Sequence, residues 1–190
     1  MTAGTRLTRR AIMPLAAAAA AMALAPAGAS AASKNYGHTT LKLKPATARA
    51  LKSLGVTPGL VAPARAGSAG IEFPITDSLL EAFTTGAIDH EGGLSLTAGK
   101  TVVDLTEYWI TLGSGTLSAD VWVQGGANLG RVAILSLDTS KAHADDSSGV
   151  TIGPITATLT AAAASALDST FKTTALTDKT VLGALTISYR

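Results

Sequence analysis

Short runs in which apolar and polar residues alternate are the feature that most limits how this chain can fold. In Thr116–Val123 the apolar residues Leu117, Ala119, Val121 and Val123 share one parity. A period of two is typical of a strand with one buried face. Comparable runs span residues 39–43, 71–75, 93–97, 101–112, 131–137, 150–159 and 182–189. Because no long helical segments separate them, the pattern is typical of an antiparallel sandwich or barrel, and we predict an all-β, mainly antiparallel β-sandwich.

Local breaks in the alternation refine this prediction. In residues 101–112 the apolar parity of the first half is lost in the second half, which predicts a β-bulge between Thr106 and Tyr108. Residues 138–149 are rich in Asp, Ser and Gly between two strand-like runs and should form an exposed hairpin. Trp122 lies on the polar parity of its strand, so we expect its ring to be exposed.

Two short helices complete the predicted fold. Residues 45–55 have a proline near the start, good helix formers inside and a glycine placed to end the helix. Residues 160–171 have Thr160 as a candidate N-cap and carry Leu167 and Phe171 one turn apart, on a face suited to the core.

The two helical segments belong to a weak internal repeat of strand, short helix, loop and strand. At a constant offset, residues 43–53 align with residues 159–169, and the alignment continues without a gap to pair Ile71 with Ile187. If the repeat is structural, both ends of the domain pack in related places. The alternative is coincidence within an Ala-rich sequence.

The first 31 residues have the pattern of a twin-arginine-type signal peptide. Three arginines, including the pair Arg9-Arg10, precede the apolar run 16–25, and the small residues Ala29-Ser30-Ala31 predict cleavage near Ala31. The apolar run is shorter than the roughly 20 residues that cross a bilayer. We therefore expect residues 32–190 to form a single domain that is secreted or held in the cell envelope.

Charge and cysteine content exclude several classes of function. The chain has 15 Lys and Arg, 13 Asp and Glu, and no Cys. Removing the three arginines of the signal from the 15 basic residues leaves twelve against 13 acidic ones, so the exported part has no electrostatic basis for binding nucleic acid. Without cysteine there are no disulfides and no thiolate metal ligands.

Few residues in this sequence indicate chemistry. There is no G-x-S-x-G elbow, Walker loop or G-x-G-x-x-G motif, and we predict that the protein is not an enzyme. Residues 143–146 contain one His and two Asp, but ordinary turn chemistry explains them better than a metal site. On a strand, His90 would face the apolar side while Asp89 and Glu91 face the other side. His90 is then either a core histidine bonded to a backbone group or a functional imidazole.

Three segments carry a resemblance to a known family. They are GAIDHEGGLSL (residues 86–96), VDLTEYWI (103–110) and GTLSADV (115–121). Together they resemble the central block of HtaA-type domains, which are exported bacterial haem-binding modules with a β-sandwich fold. The most specific part is the His-x-Gly-Gly-Leu run followed by the Leu-Ser-Ala-Asp strand.

The resemblance implies haem held by an axial Tyr whose phenolate is supported by a hydrogen-bonded His. The family's His corresponds to His90, and Tyr108 is the tyrosine that we retain as a candidate haem contact, although it lies on a different strand from the family's ligand. Arg131 and Lys100 are candidate partners for the propionates. Haem is accordingly the cofactor expected from the resemblance.

We therefore predict an exported, non-enzymatic binding module with haem or another small molecule as its ligand. The alternative is a structural or adhesive envelope domain that has no cofactor and binds through sheet faces and edges. A pocket lined by apolar side chains with His90 in its wall would favour the binding module. A filled interior beneath a flat, Thr-rich surface would favour the adhesive domain.

Overall fold

A computed structural model describes residues 34–147 and 149–190, and the predicted signal peptide lies outside these residues. The strands are β1 (Gly37–Leu43), β2 (Thr57–Val61), β3 (Arg65–Ala66), β4 (Ile71–Ile75), β5 (Ile88–Asp89), β6 (Gly93–Ala98), β7 (Thr101–Thr111), β8 (Thr116–Val123), β9 (Asn128–Asp138), β10 (His143–Asp145), β11 (Thr151–Leu159) and β12 (Val181–Tyr189). The helices are α1 (Pro45–Ser53), α2 (Leu79–Thr85) and α3 (Ala161–Phe171). Mainly antiparallel β structure is therefore confirmed.

The strands form one continuous sheet that curls until it nearly closes, where we expected two facing sheets. Its hydrogen-bonded order is β2-β6-β7-β8-β9-β11-β12-β1-β4-β3, with β5 also on β7 and β10 also on β11. The sheet nearly closes because β4, near one end of this order, meets the other end. Ile75 of β4 pairs with His90, the residue directly after β5, and β5 pairs with β7. Register shifts between β7 and β8, β8 and β9, and β11 and β12 supply the bends that let a sheet curl.

The predicted bulge in β7 is confirmed. Pairing with β8 shifts register between Thr106 and Trp109, and Glu107 between them adopts a left-handed φ of 52°. The bulge turns Tyr108 into the core and leaves Trp109 at the surface. Trp122 is exposed, as its parity predicts.

The structure has three helices where we predicted two. The predicted α1 and α3 are present, and the side chain of Thr160 caps α3 by accepting a hydrogen bond from the amide of Ala163. The additional helix, α2, begins with a capping box between Ser78 and Glu81 and ends at Gly86, whose φ is 75°. The Ser-x-x-Glu and glycine signals were available in the sequence, but a helix of two turns carries too little periodicity to stand out.

The internal repeat corresponds to equivalent topology. In the first copy β1 is followed by α1 and pairs with β4, and in the second copy β11 is followed by α3 and pairs with β12, both antiparallel. Because β1 also pairs with β12, the two copies lie side by side in the sheet. As a result α1 and α3 both border the cavity at one end of the curled sheet, while α2 borders a cleft at the other end.

Inward-facing side chains fill most of the space that the sheet encloses. The buried residues of β1, β7, β11 and β12 alternate with partly exposed ones, as the period of two requires. A closed sheet of about eight strands is just wide enough for its own side chains or one small ligand. Among the described residues, no helix has both the length and the apolar character needed to cross a membrane.

Candidate functional site

His90 lies at the seam where the curled sheet meets itself. Its amide donates to the carbonyl of Tyr108 at 2.9 Å, which joins it to β7, and its pairing with Ile75 joins it to β4. The amides of Thr76 and Glu91 donate across the same seam, at 3.0 and 3.2 Å. The side chain turns inward and is only 2% exposed, so His90 is the core histidine that its parity indicates.

Both ring nitrogens of His90 are engaged. Nδ1 lies 3.1 Å from the carbonyl oxygen of Tyr108, which can only accept, so Nδ1 carries the proton. In the neutral ring Nε2 must then accept, and it lies 2.6 Å from the hydroxyl of Thr39 on β1. Burial lowers the pKa of His90 to about 4, from an ordinary value of 6.5. The imidazole is therefore neutral at physiological pH and has no free lone pair on either ring nitrogen.

Tyr108 is also a core residue. Its ring is 5% exposed and packs edge-on against Phe73, with the ring centroids 5.0 Å apart. Its hydroxyl accepts a hydrogen bond from the amide of Leu94 at 3.1 Å. Burial raises the pKa of Tyr108, which keeps the phenol protonated. The structure thus brings His90 and Tyr108 together around one cavity of about 40 Å³, but turns the polar atoms of both toward protein groups.

The two glycines after His90, Gly92 and Gly93, are needed for the local backbone geometry. Gly92 has a φ of 75°, and its carbonyl accepts from the amide of Glu107 at 3.1 Å. A Cβ on Gly93 would fall against the carbonyl oxygen of Leu105 in the neighbouring strand. Gly93 therefore allows close approach of β7, whereas a Cβ on Gly92 would meet the backbone of residues 61–64.

A larger apolar cavity lies between the sheet and the two repeated helices. It encloses about 110 Å³ and is lined by 19 residues, all apolar except Thr47 on α1 and Thr180 before β12. Ala163 and Leu167 of α3 face Leu51 of α1 across it. We call it the α1–α3 cavity. It shares the lining residues Leu94, Leu105, Ile134, Leu135 and Leu182 with the small cavity beside His90, so the two cavities are neighbours with these side chains as their common wall.

No motif or spacing in the sequence singles out the residues of the α1–α3 cavity. Their inward parity on the strands predicts only that they are buried, which a filled core would satisfy equally well. The available signal was the repeat, because it implies that two helices lie over the same part of the sheet. Of these helices, α3 lines the cavity with Ala163 and Ala166, and α1 with Thr47 and Leu51. Small alanine side chains leave space that leucines would fill.

The residues predicted to contact haem do not fit an iron-bound porphyrin. Nε2 of His90 accepts from Thr39, and Tyr108 is held as a neutral phenol that bonds to Leu94. The cavity that they share measures about 40 Å³, whereas small-molecule pockets usually enclose about 300–1,000 Å³. Among its described lining residues, the α1–α3 cavity has no His, Tyr, Cys or Met side chain to act as an axial ligand.

The other sequence candidates have structural partners or lie at the surface. Arg131 donates to Asp120 at 3.1 Å and to the carbonyl of Glu107 at 2.6 Å, and its guanidinium lies 4.0 Å from the ring centre of Trp109. Lys100 lies in the turn between β6 and β7 and is exposed. Residues 138–147 are exposed apart from half-buried Ala142 and contain β10, and no metal-ligating group of three His, Cys, Asp or Glu occurs within the described part of the chain.

Two solved structures share this fold. The C-terminal domain of HtaA from Corynebacterium glutamicum has a TM-score of 0.57 at 15% identity, with 80% of this chain and 94% of that chain covered. The heme binding protein HtaB from the same organism has a TM-score of 0.51 at 12% identity, with 80% and 91% covered. No family model matches the chain, and no curated protein matches it by sequence. The resemblance expected from the three central segments thus holds in three dimensions, and the chain has the fold of the HtaA C-terminal domain.

Proposed function

We propose that this chain is an exported, non-enzymatic module that binds a small apolar molecule in the α1–α3 cavity. The observation that carries the proposal is the lining of that cavity, in which 17 of 19 residues are apolar and enclose about 110 Å³. An engineered apolar cavity of about 150 Å³ stays dry and binds benzene. A cavity of this kind therefore suits a single ring or a short alkyl segment.

The energetic cost of the cavity supports a ligand. Cavities destabilise a fold by about 24 cal/mol per Å³, so about 110 Å³ corresponds to about 2–3 kcal/mol. That is a large fraction of the about 5–15 kcal/mol by which domains are stable. A ligand that fills the space offsets this cost, whereas a purely adhesive domain gains nothing from it. The α1–α3 cavity argues against the filled interior expected for the structural or adhesive alternative, and His90 lines the wall of the small apolar cavity next to it.

The polar residues of the interior support a role in binding rather than catalysis. His90 and Tyr108 are the titratable side chains that line the small cavity of about 40 Å³ beside the α1–α3 cavity, and both are held neutral by burial. Neither has a free polar atom directed at the cavity. The proposal that the protein is exported is based on residues 1–31, in which three arginines precede an apolar run.

Haem is the first ligand to compare, because HtaB is a heme binding protein of the same fold. The interior supplies apolar contact but no axial ligand from His90 or Tyr108. We therefore propose that this chain recognises an apolar body through packing alone, and that any hemin it takes up is not ligated through these two residues.

The test uses benzene and hemin as probes on the purified protein. Benzene should shift the methyl NMR resonances of Leu167 and Leu182 saturably. Ala163→Leu, which fills the cavity, should abolish the shifts, while Ala162→Leu on the exposed face of α3 should retain them. Ala166→Leu fills the same cavity from a more exposed position and serves if Ala163→Leu weakens the fold.

Two results would overturn this function. The first is equal benzene binding by Ala163→Leu and Ala162→Leu, or no saturable shift in the unmodified protein. The second is a hemin Soret band with an axial-ligand shift that His90→Ala or Tyr108→Phe removes. The second result would instead assign haem ligation to the residues at the seam.

A further inference from the structure

Positive and negative charges are separated along the exported part of the chain. Residues 32–71 contain six Lys or Arg and no Asp or Glu, whereas residues 72–120 contain eight Asp or Glu and one Lys. The basic segment includes α1, and the acidic segment runs from β4 into β8. Because basic and acidic residues nearly balance over the whole domain, an anionic partner can be attracted only by a part of the surface where the basic residues are concentrated.

The helix α1 carries basic side chains on its outer side. Arg49 and Lys52 lie three positions apart on α1, Lys44 directly precedes the helix, and all three are exposed. None of them forms a salt bridge with another described residue. The inner side of the helix is fixed to the domain, because the hydroxyl of buried Thr47 donates to the carbonyl of Val181 at 2.5 Å. The outer side of α1 is therefore a basic surface on a fixed support.

A further lysine extends this surface across a cleft. The cleft lies between α1 and the loop before β12, encloses about 290 Å³, and has Lys44 on one side and the exposed Lys179 on the other. The acidic residues of α3 and this loop, Asp168 and Asp178, line a different cleft beside α3. We define the basic face as the exposed side chains of Lys44, Arg49, Lys52 and Lys179.

The α1–α3 cavity lies directly behind the basic face. Leu51 of α1 lines this cavity from the inner side of the same helix. Three further lining residues, Pro58, Leu129 and Ala166, are exposed, so the wall of the cavity reaches the protein surface. A partner bound to the basic face would therefore lie close to the apolar cavity.

The arrangement of the basic face indicates the kind of anionic partner. Its side chains are exposed and spread over a helix and a neighbouring loop, so they can contact several phosphates at once but do not enclose a single anion. A bilayer with anionic headgroups presents such an array of phosphates, and Lys and Arg on a surface helix are attracted to it. Nucleic acid also carries many phosphates, but a protein exported from the cell does not meet it routinely.

We propose that the basic face docks on a lipid surface with anionic headgroups and holds the α1–α3 cavity beside the bilayer. This docking goes beyond the proposed function and does not depend on it. One consequence does rest on the proposed function: an apolar ligand partitions into the bilayer, so the docked protein would take its ligand from the lipid.

The test uses residues 33–190, which form a compact unit with its own core, and measures cosedimentation with vesicles. The protein should bind vesicles of phosphatidylglycerol and phosphatidylcholine, should not bind vesicles of phosphatidylcholine alone, and should lose binding as salt is added. Arg49→Gln combined with Lys52→Gln should weaken binding at least tenfold. Lys100→Gln combined with Lys141→Gln removes the same charge from exposed positions outside the basic face and should bind as the unmodified protein does.

Two further measurements locate the bound surface. A lipid with a spin-labelled headgroup should broaden the amide resonances of Ala48 and Lys52 but not those of Asp104 and Ser118, which lie in the acidic segment. Ala163→Leu fills the cavity without changing charge and should bind vesicles as the unmodified protein does, so docking is tested independently of ligand binding.

Several results would overturn the docking proposal. They are the absence of binding to the anionic vesicles at low salt, equal binding by the two double variants, and loss of binding in Ala163→Leu. Binding to dextran sulfate but not to the vesicles would also overturn it, because the basic face would then recognise an anionic polysaccharide.

Discussion

His90 makes the stability of the protein depend on pH. Its pKa is about 4 in the folded protein because of burial, and 6.5 is its ordinary value. As the pH falls below about 6.5, the unfolded chain takes up a proton that the folded protein does not, so stability is lost between pH 6.5 and pH 4. Between pH 7 and pH 4.5 we expect this one residue to lower the free energy of unfolding by about 2 kcal/mol.

Urea unfolding of matched histidine variants measures this contribution. His90→Gln should be less stable at pH 7, because it loses the bond from Thr39, and should show a flatter pH profile than the unmodified protein. His143→Gln, in the exposed hairpin, should keep the full slope. Burial raises the pKa of Asp77, Asp89 and Glu107, and these shifts favour the folded protein as the pH falls. Their effect on stability is opposite to that of His90, but it is present in all three proteins. Parallel profiles for His90→Gln and the unmodified protein would contradict the assignment.

Two buried tyrosines differ in what their hydroxyls contribute. Tyr108→Phe leaves the amide of Leu94 unsatisfied in the core, so we expect it to lower the free energy of unfolding by about 1–2 kcal/mol. Tyr189→Phe removes a buried hydroxyl that has no partner among the described residues, so it should leave the free energy of unfolding unchanged or raise it by up to about 1–3 kcal/mol. Denaturant unfolding of the two variants side by side checks the contrast. An equal loss in both would mean that Tyr189 has a partner, such as an ordered water.

At the scale of the element, the two repeated helices differ in how they begin. Thr160 caps α3 by accepting from the amide of Ala163 at 3.1 Å, and it also donates to the carbonyl of Ala133 at 2.9 Å. Lys44 precedes α1 in an extended conformation and provides no side-chain cap. Thr160→Ala should therefore destabilise by about 1 kcal/mol, while Lys44→Asp should stabilise by about 0.5–1 kcal/mol. Thermal unfolding measures both changes.

Thr170→Ala is the matched control for the α3 cap. Its hydroxyl donates back to the carbonyl of Ala166 late in the same helix, where no cap is lost. We expect little change in melting temperature. If Thr170→Ala destabilised as much as Thr160→Ala, loss of the cap would not explain the effect of the latter.

The elements also show what the sequence reveals and where it stops. Period-two alternation located the long strands, and the parity break located the bulge at Glu107, because both depend on which neighbours are buried along one strand. The helix α2 was missed because its capping box spans only four residues. Closure of the sheet was missed because it depends on one contact between distant residues, Ile75 and His90, which no local pattern encodes.

The candidate site could not be predicted from the sequence for the same reason, because it depends on contacts between residues that are far apart along the chain. Parity correctly turned His90 inward, but its partner Thr39 lies 51 positions away on β1, and nothing near either residue indicates the pairing. The α1–α3 cavity arises from the sum of many side-chain volumes rather than from a motif. Its existence depends on small residues such as Ala163 facing strands that bend away from them.

At the scale of the whole molecule, the curled sheet is a ring with a weak seam. On one side of the ring, β12 is paired along its length with β1 and β11. At the seam, β4 meets the residues after β5 through the amides of Thr76 and Glu91. Local opening follows the places with the fewest cooperative bonds. Opening of the seam would also expose the small cavity that His90 lines, so it offers one route from solvent toward the apolar interior.

Native-state hydrogen exchange tests whether the ring opens there. The amides of Thr76 and Glu91 should exchange at least tenfold faster than the slowest amides of β12. His90→Gln should accelerate the seam amides further and leave β12 unchanged, because the bond to Thr39 ties the seam to β1. Benzene in the α1–α3 cavity should slow exchange across the ring only if it binds the closed form more tightly. Seam amides that exchange as slowly as those of β12 would mean that the sheet unfolds as one closed unit, and the ligand would then have to enter beside α1 and α3.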